Sequence, residues 1–171
     1  SFTDPVPKKR EEGFATLGID AFHGSARFAT PDTVTVDGRA LRGRHILIAS
    51  GARPVPLTFA GAGHAITSDE FMELEHLPER IVMVGGGYIA AEISHIAARA
   101  GAKVTILQRG EQMLTKFDAD LVGWLMAKFR DIGIDVRTQS TVTAIERSGQ
   151  EYRVHAQTAQ NEAVVVADLV V

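Results

Sequence analysis

The chain has 171 residues, 45% hydrophobic and 23% charged, with a formal net charge of −3. These proportions are ordinary for a globular protein and exclude a disordered one, and the well-mixed charges offer no basic face to nucleic acid or an anionic membrane. The absence of cysteine excludes a disulfide, a thiolate metal site and thiol redox chemistry within these residues.

The longest apolar runs, such as Ala163–Ala167, fall far short of the ~20 residues of a membrane span. With no signal-peptide pattern at the start, a cytoplasmic protein is expected. The chain opens at Ser1 without methionine and closes on "ADLVV", which reads as a buried strand. A piece of a longer protein is therefore expected.

In chain order, "DPVPKKREEGFATLGI" predicts a helix from about Pro7, with Gly18 as its stop. The runs "AFHGSARFA" and "TVTVDG" around "TPDT" predict a hairpin. "HILIASG" reads as a short buried strand ending at Gly51, and residues 52–66 as a connector. Ser68 or Asp69 is the expected cap of a helix "EFMELEHL" that Pro78 ends. "IVMV", from Ile81, is a strand of the kind buried on both faces of a parallel sheet.

The following helix shows Ile89, Ile93, Ile96, Ala97 and Ala100 at helical spacing, and Gly101 closes it. "KVTIL" is the next strand. Asp118 is expected to cap a helix carrying Leu121, Val122, Leu125 and Phe129 on one side, with Gly133 as its stop and "IDV" after it. "TVTAIE", "EYRVHAQT" and "AVVVA" predict an antiparallel meander with turns near Ser148-Gly149 and Gln160-Asn161, and "DLVV" re-enters the parallel sheet. The order from Ile81 onward predicts a doubly wound α/β domain with an inserted antiparallel flap.

Between the "IVMV" strand and its helix stands "VGGGYIAAE". Gly85-x-Gly87-x-x-Ala90 fits the dinucleotide fingerprint, with alanine at the third position. Gly85 permits the tight turn, Gly87 lets a pyrophosphate reach the backbone, and Ala90 lets helix pack on strand. The helix start near Tyr88 would offer free N–H groups and a positive dipole end to phosphates. Gly85, Gly86, Gly87, Tyr88, Ile89 and Ala90 are thus the candidate cofactor-binding stretch; a plain strand–helix turn is the other reading.

A site preferring NAD usually carries Asp or Glu at the end of the second strand, and one preferring NADP offers Arg. Here Gln108 stands in the acid's place and Arg109 follows. Arg109 is therefore the candidate ligand of an adenosine 2′-phosphate. Lys116 either adds charge to that site or is a solvated surface cation. The six histidines are scattered without ligand spacing, and no metal is implied.

The stretch "ERIVMVGGGYIAAEISHIAARAGAKVTILQRGEQMLTKFDADL" closely resembles the NAD(P)H-binding domain of flavin-dependent pyridine nucleotide–disulfide oxidoreductases, among them glutathione reductase, dihydrolipoamide dehydrogenase and mercuric reductase. "HILIASGARP", "TSDEFMELEHLPERI" and "ADLVV" resemble, in order, the strand closing the family's FAD domain, its connector and its return strand. The resemblance implies residues 1–78 as a partial FAD-domain segment with connector, and 79–171 as a Rossmann-type NAD(P)H-binding domain. It also implies hydride transfer from NADPH to FAD, passage of electrons to a disulfide or similar acceptor, and a homodimeric parent.

Carried over by position, Tyr88 resembles the aromatic that covers the flavin ring and swings aside for nicotinamide, though a lip tyrosine would look the same. Glu92 resembles a glutamate near nicotinamide and flavin; a plain helix-face carboxylate is its other reading. Tyr88 and Glu92 are the candidate catalytic pair. Ala49, Ser50 and Gly51 resemble the segment lining the FAD adenosine pocket. Several family features are absent from these residues: the FAD glycine motif, the redox cysteine pair, and the dimerisation domain with its His–Glu pair. Thr115 and Lys116 stand where relatives that prefer NADPH often carry a second arginine. The alternatives are a non-catalytic nucleotide-binding module, and a flavin-dependent NAD(P)H oxidase without a redox disulfide.

Overall fold

The computed structural model describes residues 4–171. It divides into two compact units, the first ending at Ala52 and the second running from Arg53 to Val171. In the first unit, α1 (Val6–Thr16) has Pro7 in its opening turn, where a missing N–H costs nothing, and is followed by Gly18 at φ +72°. Strands β1 (Ala26–Thr30), β2 (Thr33–Val36) and β3 (Arg39–Arg42) form an antiparallel sheet in that order. The hairpin expected around "TPDT" is therefore present, and it gains a third strand. Asp37 and Gly38 carry it, with φ of 46° and 85°. Positive φ at both central residues gives a two-residue turn whose twist matches the flanking strands.

"HILIASG" is not a strand. Residues 45–51 are irregular, and Leu47 and Ile48 are 89% and 71% exposed. An extended apolar run becomes a strand only where a neighbour takes its N–H and C=O groups, and none of the described residues does so.

In the second unit, residues 53–67 are largely irregular but anchored. Ile145 N–H donates to Ala60 C=O at 2.9 Å, and Ile66 N–H to Val170 C=O at 2.9 Å. The helix α2 (Ser68–Met72) is shorter than expected and differently capped. Thr67, rather than Ser68 or Asp69, caps it: Thr67 Oγ1 accepts from Glu70 N–H, while Glu70 Oε2 accepts from Thr67 N–H at 2.7 Å. The helix ends well before Pro78. Phe71 is its one buried side chain, so nothing downstream holds another turn against the core.

Strand β4 (Arg80–Val84), helix α3 (Tyr88–Arg99), β5 (Lys103–Leu107), α4 (Ala119–Asp131) and β6 (Asp135–Arg137) follow as the patterns predicted. Next come β7 (Thr141–Ser148), β8 (Glu151–Gln157) and β9 (Glu162–Ala167) as an antiparallel meander, then β10 (Leu169–Val170). The parallel sheet has the order β10-β4-β5-β6. Side chains alternate across it, as a strand period of two requires. Ile81, Met83, Val104 and Ile106 join α3 and α4 in one core, with Phe129 and Ile134. Val82, Leu107 and Val170 face the meander's Val142, Ile145, Val154, Ala156 and Val165 in another. The antiparallel flap thus supplies the second covering layer of the doubly wound sheet.

Two helix faces differ from expectation. On α3 the buried residues are Ala90, Ala91, Ile93, Ser94 and Ala97, while Ile89 and Ile96 are 41% and 63% exposed. On α4 Val122 and Phe129 are buried, but Leu121 is 57% exposed. Close approach of a helix to a sheet selects small side chains for the contact stripe, which turns the larger isoleucines outward. Asp118 caps α4 as predicted, its Oδ1 accepting from Asp120 and Leu121 N–H at 3.0 and 3.2 Å. No helix among the described residues is long and apolar enough to cross a membrane.

Candidate functional site

The glycine loop leaves β4 at its carboxyl end. Gly85 has φ +109°, a conformation that L side chains rarely adopt, and its N–H is bound to Leu107 C=O at 2.9 Å. Gly86 is buried and has no room for a side chain: an added Cβ would lie 2.8 Å from Met113 Cγ and 3.2 Å from Gln108 Cβ. Gly87 is the reverse case, exposed, with no atom within 4 Å of an added Cβ. It is the N-cap of α3, with no side-chain cap and no acidic residue in the first turn. The first N–H groups of α3 therefore face open space with the positive end of the helix dipole behind them. Ala90 is buried against the sheet, as the third fingerprint position requires.

The loop after β5 is fastened to this cradle. Gln108 Oε1 accepts from Gly86 N–H at 3.0 Å, and Gln108 Nε2 donates to Gln112 C=O at 3.0 Å. Leu114 N–H donates to Gly86 C=O at 2.9 Å. On its other side the loop meets the link between β6 and β7: Ser140 N–H donates to Gln108 C=O at 3.0 Å and Gln139 N–H to Gly110 C=O at 2.9 Å. Leu114 and Gln139 take left-handed backbone, with φ of 52° and 51°, an arrangement that holds only where neighbours over-determine it. Arg109, next to this network, is exposed and has no ion-pair partner among the described residues. The same is true of Lys116.

Tyr88 and Glu92 share one wall of a mostly apolar groove of about 340 Å³ between α3 and α4. Leu114, Phe117, Leu121 and Leu125 form the opposite wall. Tyr88 is 59% exposed and sits on the first turn of α3, directly after the glycine loop. Ile89, a candidate contact in the sequence, lies exposed beside it. The structure thus gathers Gly85, Gly86, Gly87, Tyr88, Ala90, Glu92 and Gln108 around the carboxyl ends of β4 and β5. Ala49, Ser50 and Gly51 lie in the first unit as exposed irregular chain. They form no strand end.

Sequence reasoning missed the braced 108–114 loop, including Met113, which is 1% exposed, and the Leu114–Phe117 wall. Two adjacent apolar residues, Met113-Leu114, in an otherwise polar segment were the signal available. Among the described residues no group of His, Asp and Glu side chains is placed to hold a metal ion.

A parallel sheet, a glycine turn at a strand's carboxyl end and an open helix start are the defining parts of a Rossmann-type domain. Comparison with known proteins places it more narrowly. The chain belongs to the family described as pyridine nucleotide-disulphide oxidoreductase, whose profile matches residues 8–171. It is 44% identical to glutathione reductase of Burkholderia cepacia over 129 residues, covering 75% of this chain and 29% of that protein. Mercuric reductase of Staphylococcus aureus is 29% identical, over 96% of this chain and 31% of that protein. The solved structure of the HOCl-induced flavoprotein disulfide reductase RclA from Escherichia coli aligns with TM-score 0.73 and 27% identity, over 96% of this chain and 39% of that one. The chain therefore spans about a third of the length of these enzymes.

Proposed function

We propose that residues 79–171 bind a nicotinamide dinucleotide and prefer NADPH, with residues 1–78 as flavin-side segment and connector. The whole protein would be a cytoplasmic, homodimeric oxidoreductase passing hydride from NADPH to FAD and electrons on to a disulfide or similar acceptor. The observation that carries this reading is the uncapped start of α3 behind Gly87, with space for a phosphate where any side chain would stand. Backbone N–H groups there would hold the pyrophosphate. Arg109, unpaired beside a neutral Gln108, would take the 2′-phosphate, with Lys116 at most adding charge. The groove of Tyr88 and Glu92 would receive the nicotinamide end, the tyrosine ring shielding it from water. When bound, the nicotinamide supplies the hydride; the chain's residues bind, orient and shield it. No thiol of this chain takes part, since it has no cysteine.

Calorimetric titration with NADPH and NADH, repeated on Arg109→Ala, tests this. Loss of a charge-assisted contact to the 2′-phosphate should weaken NADPH by roughly tenfold or more and leave NADH unchanged. Equal binding of both nucleotides to the unaltered chain would overturn the NADPH preference. Binding of neither would overturn the site.

A further inference from the structure

The Gln108 side chain ends in one acceptor and one donor group, and both are engaged by backbone. Its carbonyl oxygen meets the Gly86 N–H and its amide nitrogen meets the Gln112 C=O, each at 3.0 Å. No other side chain of that length offers both functions without charge. A carboxylate would satisfy Gly86 but set two acceptors face to face at Gln112. A hydrophobic side chain would leave both groups unpaired. The Gly86 N–H is thereby withdrawn from any phosphate, although it lies in the middle of the glycine loop. The contact also fixes the chain on either side of Arg109, because residues 108 and 112 are clamped to the same point.

We propose that Gln108 is a positioning residue for nucleotide selection. It latches the loop of residues 109–114 onto the glycine loop and so presents the Arg109 guanidinium beside the phosphate cradle. This rests on the assignment of Arg109 to the 2′-phosphate. Gln108 acts through Arg109: the latch governs the advantage of NADPH over NADH and leaves the pyrophosphate cradle as it is. The close packing supports this, since an added Cβ at Gly86 would lie 2.8 Å from Met113 Cγ and Met113 is itself buried, so the latch sits on a tightly packed base.

The test uses Gln108→Met, Gln108→Glu, Arg109→Ala and the double variant Gln108→Met/Arg109→Ala of this chain. Amide hydrogen exchange is read by NMR without nucleotide, and calorimetry gives affinities for NADPH and NADH. In Gln108→Met the Gly86 amide should exchange at least about tenfold faster. NADPH should bind about tenfold more weakly while NADH stays within about twofold. The double variant should bind NADPH no more weakly than Arg109→Ala alone, the non-additivity expected of one residue acting through another. Gln108→Glu, which keeps the Gly86 contact, should leave that amide protected and speed exchange at residues 112–114.

Equal weakening of NADPH and NADH by Gln108→Met would overturn the proposal, making Gln108 a brace of the cradle alone. Unchanged Gly86 exchange in that variant would overturn it too, as would additive losses in the double variant. If Arg109→Ala leaves NADPH binding intact, the 2′-phosphate assignment itself fails. The exchange data, taken without nucleotide, then still decide whether the latch stands.

Discussion

An added Cβ at Gly86 would meet Met113 Cγ at 2.8 Å, whereas at Gly87 it would meet nothing within 4 Å. The two neighbours therefore predict opposite phenotypes. Met113 is 1% exposed and cannot step aside into solvent, so Gly86→Ala should lower stability by about 1–3 kcal/mol through overpacking. Gly87→Ala, at an ordinary extended φ of −80°, should fold with an unchanged melting temperature. Its methyl group would occupy the space assigned to phosphate and weaken NADPH and NADH alike. Thermal denaturation beside calorimetry separates the two, and full stability in Gly86→Ala would contradict the packing described. From sequence, three consecutive glycines announced a turn at the strand end but not which glycine is open and which is packed against protein. That division depends on Met113 and Gln108, more than 20 positions away, and no local pattern encodes it.

At the level of elements, α4 begins on the Asp118 cap and its first turn supplies Leu121 and Val122 to the groove that holds Tyr88 and Glu92. Asp118→Ala should cost about 1 kcal/mol, and Asp118→Asn far less, since either oxygen-bearing side chain can accept from the first-turn N–H groups. Trp124, the chain's single tryptophan, lies on the same helix and reports its unfolding by fluorescence in a denaturant titration. Equal midpoints for Ala and Asn would mean the cap does not hold the turn. This cap was legible, as were the strands from β4 onward and the meander, because strand alternation, capping chemistry and glycine stops are local signals. "HILIASG" was misread because an apolar run carries no record of whether a neighbour exists to pair with it. The α3 stripe was read rightly at Ile93 and Ala97 and wrongly at Ile89 and Ile96, because hydrophobic periodicity ranks Ile96 above Ser94. Close contact with the sheet ranks them the other way, leaving Ser94 fully buried and Ile96 63% exposed.

Across the whole second unit, β10 returns beside β4, and a charged clip fastens their starting ends. Arg80 N–H donates to Asp168 Oδ2 at 2.9 Å and its Nε to the same oxygen at 3.1 Å, while Asp168 N–H donates back to Arg80 C=O at 2.9 Å. Arg80 Nη2 donates both to Asp168 Oδ1 and to Glu151 on β8, so the clip joins the parallel sheet to the meander. The Arg80 side chain, hydrogen-bonded to Asp168, holds that carboxyl below its usual range, and burial opposes it only in part. A carboxyl depressed in the folded state contributes stability that is complete above its unfolded value, about 3.9, and is lost as pH falls through the lower folded value. Asp168→Asn should therefore lower the melting temperature by a few degrees at pH 7. The gap between variant and unaltered chain should close in the acid range below about pH 4. Melting curves taken from pH 7 down to pH 2.5 check this. A gap that stays constant across the range would mean that Asp168 contributes packing and backbone hydrogen bonds alone, and that the ionic contact with Arg80 adds nothing to the closure of the sheet.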